Sequence, residues 1–272
     1  GLGYDIGRWG ADGALGRDTL AAVRDFEEDR GLPVTADAIP AITIAAIADA
    51  YDRRDAAAKP GGFVDLTGAH AGANRRGVRP WTQITGITLH QTAARLGERH
   101  ERWVKWPIKD DKGQVYNSSL KAHVGITSQG QILLCNPLNS FIWHAQQLSK
   151  TDVGVEIDGS YEGVEGRRDT WWQPPGLKDP MRPEAIQIQR ALAAVLWIAW
   201  EVDRNGGKIR YVHAHRQGSA DRRSDPGSRI WKDVALPAMQ RLQLTDGGPG
   251  WKIGSGTPIP KEWDPSRAGW GY

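Results

Sequence analysis

Tyr211 to Trp231 reads YVHAHRQGSADRRSDPGSRIW, and the reading of this stretch decides the rest of the chain. It opens as a strand: KIRYVHAH follows the break at Gly206-Gly207, and its alternation points His213 and His215 to the same side. A polar loop follows, with Arg222 and Arg223 just before Asp225 and Pro226-Gly227 just after it, a composition that makes a turn and not a helix. His215 and Asp225 on one loop are donors of the kind a divalent metal takes. A third donor from a distant strand would leave one tetrahedral position for water, the mark of a catalytic metal. The same residues also suit an ordinary solvated loop, and spacing alone does not choose between His213 and His215. A distant partner has to decide.

His90 is that candidate partner, at the end of the run ITGITLHQTA. Alternation puts Thr85, Ile87 and Leu89 on one face and Ile84, Gly86, Thr88 and His90 on the other, so the run reads as a strand whose last residue emerges near a sheet edge. A second strand, TDVGVEIDG, sets Val153, Val155 and Ile157 on one face and leaves Glu156 on the other, beside Gly154 and Asp158. A carboxylate inside a strand is costly unless it is paired or opens into a cleft. Glu156 is therefore a functional candidate, with a salt-bridged structural glutamate as the other reading.

These residues resemble the type 2 family of zinc-dependent N-acetylmuramoyl-L-alanine amidases, which share their fold with peptidoglycan recognition proteins. TLHQTA is similar to the family's first-ligand strand, AHVGITSQGQILLCNPLNSFIWHA to its central hairpin and following histidine segment, DVGVEIDG to its acidic strand, and HRQGSADRRSDPG to its closing metal loop. The resemblance runs over residues 75–242. It implies zinc held by His90, His215 and Asp225, Glu156 as general base, and Arg223 in the place of a basic transition-state stabiliser, with the family distance to Asp225 favouring His215 over His213. The chain departs from the pattern twice. Many members carry Lys where this chain has Arg223, and a guanidinium can stabilise an oxyanion but does not give up its proton. Some relatives place a Tyr before the hairpin histidine, whereas Ala122 precedes His123 here.

Composition narrows the alternatives. In 272 residues, 35 basic against 32 acidic side chains give a net charge of +3, too even a balance for a nucleic-acid binder yet compatible with an anionic cell wall. The single cysteine, Cys135, rules out an internal disulfide and a cysteine metal cluster. No G-x-S-x-G is present, which disfavours a serine hydrolase. The longest apolar run, Ala191 to Trp200, is too short to span a bilayer, and no signal peptide is legible before the first helix. Action on the cell wall, in the periplasm or outside the cell after release, is the expectation.

Outward from the site, Arg17 to Arg30 and Pro40 to Arg54 carry apolar residues at helical spacing, the first ending at Gly31. With the turn ADGALG and the linker GLPV, residues 1–56 resemble a small helical peptidoglycan-binding module whose first helix would precede LGY. Residues 57–74 read as linker, 75–242 as the amidase domain and 243–272 as a Gly/Pro/Trp-rich surface tail. Within the domain, AHVGIT and QILLCN form a hairpin, Gly159 to Pro183 a long loop carrying Trp171 and Trp172, and the chain from Glu184 a helix lying on the sheet. Roles for His123, His144 and His213 stay open.

The expected architecture is α/β, a mixed central sheet flanked by helices, preceded by the small helical module. The resemblance implies zinc-assisted hydrolysis of the amide between N-acetylmuramic acid and L-alanine in peptidoglycan. Two other readings stand beside it: a recognition module without catalysis, and an amidase-bearing component of a larger assembly that docks through the N-terminal module or the tail.

Overall fold

The computed structural model describes residues 17–34, 39, 43, 60–68, 75–104, 106–109, 115–118, 120–267 and 269–272. The chain divides into two compact units, Gly1–Ala58 and Lys59–Tyr272. In the first, helix α1 spans Arg17–Asp29 and buries Ala22, Val23 and Phe26. It stops because Gly31 takes a positive φ of 62° while its N–H bonds Glu28 O and that of Leu32 bonds Glu27 O. This pairing satisfies carbonyls that the helix end would otherwise leave open. The second helix expected from Pro40 to Arg54 falls outside the described residues, except that Thr43, in helical conformation, donates to the buried Glu27 carboxylate at 2.6 Å.

The second unit is built on a mixed six-stranded sheet in the order β1-β7-β6-β9-β3-β10. Its strands are β1 (Phe63–Asp65), β3 (Gly86–Gln91), β6 (Val124–Ile126), β7 (Ile132–Leu134), β9 (Asp152–Ile157) and β10 (Tyr211–Ala214). β6, β9, β3 and β10 run parallel to one another, and only the β6-β7 pairing is antiparallel. Strand alternation sorts the two faces. Ile87, Leu89, Val153, Val155, Ile157, Val212 and Ala214 are fully buried on one of them. They share a core with Ala191, Ala194, Val195, Ile198 and Val202, the i, i+3, i+4, i+7 stripe of the long helix α3 (Ala185–Arg204). Each fully buried valine, leucine or isoleucine among them contributes about 1.5–3 kcal/mol on burial. By length and hydropathy α3 would suffice to cross a bilayer, but its apolar stripe is spent on the sheet.

The other face carries small and polar residues in register: Gly86 opposite Asp152, Thr88 opposite Gly154, and His90 opposite Glu156. This is the face on which the chemistry is assembled. Two small antiparallel pairs accompany the sheet, β2 (Arg75–Val78) with β8 (Ser140–Ile142), and β4 (Trp106–Lys109) with β5 (Val115–Ser118). A short helix α2 covers His100–Val104, and Ser228–Leu242 closes the unit as helix with a π-helical stretch at Trp231–Ala235.

The structure changes several expectations. His90 lies on an inner strand, because β10 adds to the far side of β3. The β6-β7 hairpin sits toward one margin of the sheet and is not central. The stretch read as linker contains Phe63–Asp65, which pairs in parallel with Ile132–Leu134 as an edge strand; three residues are too few for alternation to show. The tail is held down: Ile253 N–H bonds Gln217 O, Thr257 N–H bonds Arg216 O, and Trp263 is fully buried with its indole N–H on Gly163 O.

Candidate metal centre

Adjacent parallel strands bring the site together at their C-terminal ends. His90 and Glu156 are next to last in β3 and β9 and are Cα partners across the ladder, and His215 comes directly after β10. Asp225 returns on the following loop, where its Oδ1 accepts the Gln91 backbone N–H at 2.9 Å. The Gln91 side chain holds the same loop from beside it, donating to Ser224 O at 2.7 Å and accepting from Tyr161 N–H.

Three donor atoms meet here. His90 Nδ1 is 2.9 Å from His215 Nδ1, His215 Nδ1 is 3.0 Å from Asp225 Oδ2, and His90 Nδ1 is 3.9 Å from the same oxygen. A tetrahedral zinc with bonds of about 2.0–2.2 Å would space its ligands by about 3.3–3.5 Å. The observed triangle brackets that spacing, and a single bridging proton cannot satisfy all three contacts, so the donor set fits a metal. Burial, reinforced by the neighbouring His215, His144 and Arg222, pushes the His90 imidazolium well below its usual range. His90 is therefore neutral at physiological pH, the form that ligates.

Glu156 stands beside this cluster with one carboxylate oxygen, Oε2, buried and without a hydrogen-bond partner. Burial, and then the Asp225 carboxylate, raise its pKa well above the usual carboxylate range; Arg222 pulls it back and Asp158 adds to the rise. An unpartnered carboxylate with a raised pKa is poised to take and return a proton.

Of the residues singled out in the sequence, the structure brings His90, His215, Asp225 and Glu156 together. The Arg223 guanidinium lies over the Tyr272 ring, 5.4 Å from its centroid. The cation whose charge acts on both His90 and Glu156 is Arg222, which lines a small cleft with Gln91, Trp172 and Asp225. Consecutive residues project differently, and the two arginines have different neighbours. Trp172 is half-exposed at this cleft, whereas Trp171 is tied back by its indole N–H on Ser160 Oγ at 2.8 Å. A larger cleft, between Arg95 and the 177–187 segment, contains none of these donors.

The remaining histidines separate by their partners. His213 is 2.7 Å from Asp152 Oδ2 and stacks on Trp251 at 4.6 Å, so it serves the buried Asp152 and not the cluster. Asp152 pays for its burial with three contacts, from His213, Thr88 Oγ1 at 2.7 Å and Thr151 Oγ1 at 2.9 Å, and its pKa ends up lowered although burial alone would raise it. Its carboxylate occupies the space a side chain at Gly86 would need. His123 Nδ1 accepts the Gly154 N–H at 2.9 Å, which leaves Nε2–H for Ser140 O at 2.9 Å and makes His123 a brace between β6, β8 and β9. Asp152, Gln91 and the Tyr272 contact were not found by reading the sequence. Asp152 begins its strand, where a carboxylate looks like an ordinary boundary residue.

Residues 80–228 match the family of N-acetylmuramoyl-L-alanine amidases. The chain belongs to that amidase family. Among solved structures, those similar to this member include the amidase LysC of Clostridium intestinale (TM-score 0.45, 13% identity, 68% of this chain and 99% of that one). Others are the endolysin amidase LysCS of the same organism (TM-score 0.43, 13% identity, 67% and 95%) and bumblebee PGRP-SA (TM-score 0.44, 14% identity, 69% and 98%). No curated protein matches the sequence.

Proposed function

We propose that this chain is a zinc-dependent amidase that cleaves the bond between the lactyl group of N-acetylmuramic acid and L-alanine in peptidoglycan. The observation that carries the reading is the triangle of His90, His215 and Asp225 donor atoms, all within 4.8 Å of one another, with an unpartnered carboxylate oxygen of Glu156 on the neighbouring strand. A complete donor set with a free base favours catalysis over recognition alone.

His90, His215 and Asp225 would hold the ion. When bound, zinc supplies a Lewis acid that polarises a carbonyl and lowers the pKa of water to about 7. Glu156 takes the proton of the attacking water and returns it to the leaving nitrogen, a role its raised pKa supports at neutral pH. The oxyanion needs a fixed positive group; Arg223 holds the position that the family resemblance gives it, and Arg222, which lines the cleft with Asp225, is the second candidate. As a guanidinium either one stabilises charge and leaves proton transfer to Glu156. Trp172 offers an apolar plane at the cleft for a sugar ring or a stem-peptide side chain. Residues 1–56 are proposed as an accessory wall-binding module, and the site of action is the cell wall.

The test is mass analysis of purified muropeptides after digestion. Release of intact stem peptides beginning with L-alanine, abolished by chelator and restored by zinc, is the expected result. Products that retain the lactyl-alanine bond, or activity indifferent to chelator, would overturn the reading.

A further inference from the structure

His90 can ligate through Nδ1 only if its proton sits on Nε2, and the chain of contacts behind it fixes that choice. The chain starts at the Asp152 backbone carbonyl, which can only accept. It lies 3.2 Å from His144 Nε2, so that nitrogen carries a hydrogen. A neutral imidazole has one N–H, and His144 is buried with its ring nitrogens on the Asp152 carbonyl and a second imidazole, no carboxylate of the described residues pairing with it to hold a second proton. His144 Nδ1 is then a lone pair, 3.0 Å from His90 Nε2. Two lone pairs cannot face each other at that distance, so His90 Nε2 is the donor and His90 Nδ1 is left open toward His215 and Asp225.

We propose that His144 is a positioning residue that sets the His90 tautomer, relaying the polarity of the Asp152 carbonyl through a second imidazole so that His90 Nδ1 is always presented as a metal ligand. The proposal rests on the zinc reading above. Metal-bound histidines commonly give their other N–H to a carboxylate, a carbonyl or water; here a ring stands between ligand and carbonyl. That ring has a built seat. A Cβ at position 154 would come within 2.9 Å of His144 Nδ1, so Gly154 is what lets the imidazole lie against β9. The His144 backbone N–H is held by Ser149 Oγ at 2.9 Å, and the ring meets His90 edge to face at 5.1 Å between centroids.

The relay separates two substitutions at one position. His144→Asn keeps a carbonyl oxygen near the place of Nδ1, and His144→Leu fills the space without an acceptor. Zinc affinity is measured by competition with a chromogenic chelator for the parent and both variants, and the His90 tautomer by long-range 1H–15N NMR on the metal-free parent. Expected are an Nε2–H tautomer for His90 in the parent, zinc affinity close to the parent in the Asn variant, and a loss of about 10- to 100-fold in the Leu variant. Parent-like affinity in His144→Leu, or an Nδ1–H tautomer at His90 in the parent, overturns the proposal while leaving the zinc reading intact. A parent that binds no zinc overturns both. If neither variant folds, the tautomer in the parent still decides.

Discussion

The backbone N–H of Gln91 donates to Asp225 Oδ1 at 2.9 Å, so the residue next to one ligand of the cluster holds the other in place. The donor set is thus assembled by protein contacts. A closed structural zinc site contributes folding energy outright, whereas a site of this kind exists before the ion arrives.

Chelator-treated protein is therefore expected to keep its far-UV circular dichroism and a cooperative melt, with a midpoint that rises when zinc is returned, as mass action requires of a ligand that binds only the folded state. Loss of cooperative unfolding on chelation would show that the ion builds the fold.

His213 and His215 make a matched pair. His215→Ala should abolish stoichiometric zinc, read by plasma emission, with little change in melting. His213→Ala should keep zinc but strip the fully buried Asp152 of its 2.7 Å partner, a change that typically costs about 3–5 kcal/mol. Zinc lost from the His213 variant and kept by the His215 variant would reverse the assignment.

Glu156→Gln should retain zinc and lose about two or more orders of magnitude in turnover. Stability gives a second, independent reading. Because the folded pKa of Glu156 is raised, the native state holds a proton that the unfolded chain releases at its ordinary carboxylate pKa, so stability falls as pH rises from that value toward the folded pKa. The burden is absent at low pH and full above the folded pKa. Metal-free Glu156→Gln should accordingly melt above the parent at neutral pH, and the gap should close toward pH 4. A gap that widens on acidification would contradict the raised pKa.

Arg222 and Arg223 are distinguished by turnover. If Arg222 faces the developing oxyanion, Arg222→Ala should lower kcat about a hundredfold, some 3 kcal/mol, with zinc content unchanged. Arg223→Ala, losing a contact with the Tyr272 ring, should act on melting temperature and leave kcat nearly intact. The opposite pattern returns the role to Arg223.

What could be read from the sequence follows from what leaves a periodic or chemical trace. Alternation in ITGITLHQ and DVGVEI placed His90 and Glu156 on the polar face because both strands are buried on the other side by α3. The α3 helix was legible for the same reason, its apolar side running through Ala191, Ala194, Val195 and Ile198. Strands of three or four residues such as β1, β4 and β5 are too short to carry a period, and they form because a neighbour offers a free edge. The contact of Arg223 with the Tyr272 ring was not legible, because side-chain direction in a tight loop is set by tertiary contacts. The relay through His144 needs atoms brought together from three separate segments, which no local pattern records.

The pairing of His90 with Glu156 also says where this domain can and cannot change length. Side chains in a strand alternate, so deleting one residue within Asp152–Ile157 would exchange Val155 and Glu156, setting a carboxylate against α3 and a valine beside the ligands. Insertions and deletions between Trp172 and Pro180, outside the ladder and beyond the Tyr161 contact with Gln91, carry no such penalty. In divergent copies of this domain, β9 should vary by substitution at constant length, and the loop that carries Trp172 should be where gaps collect.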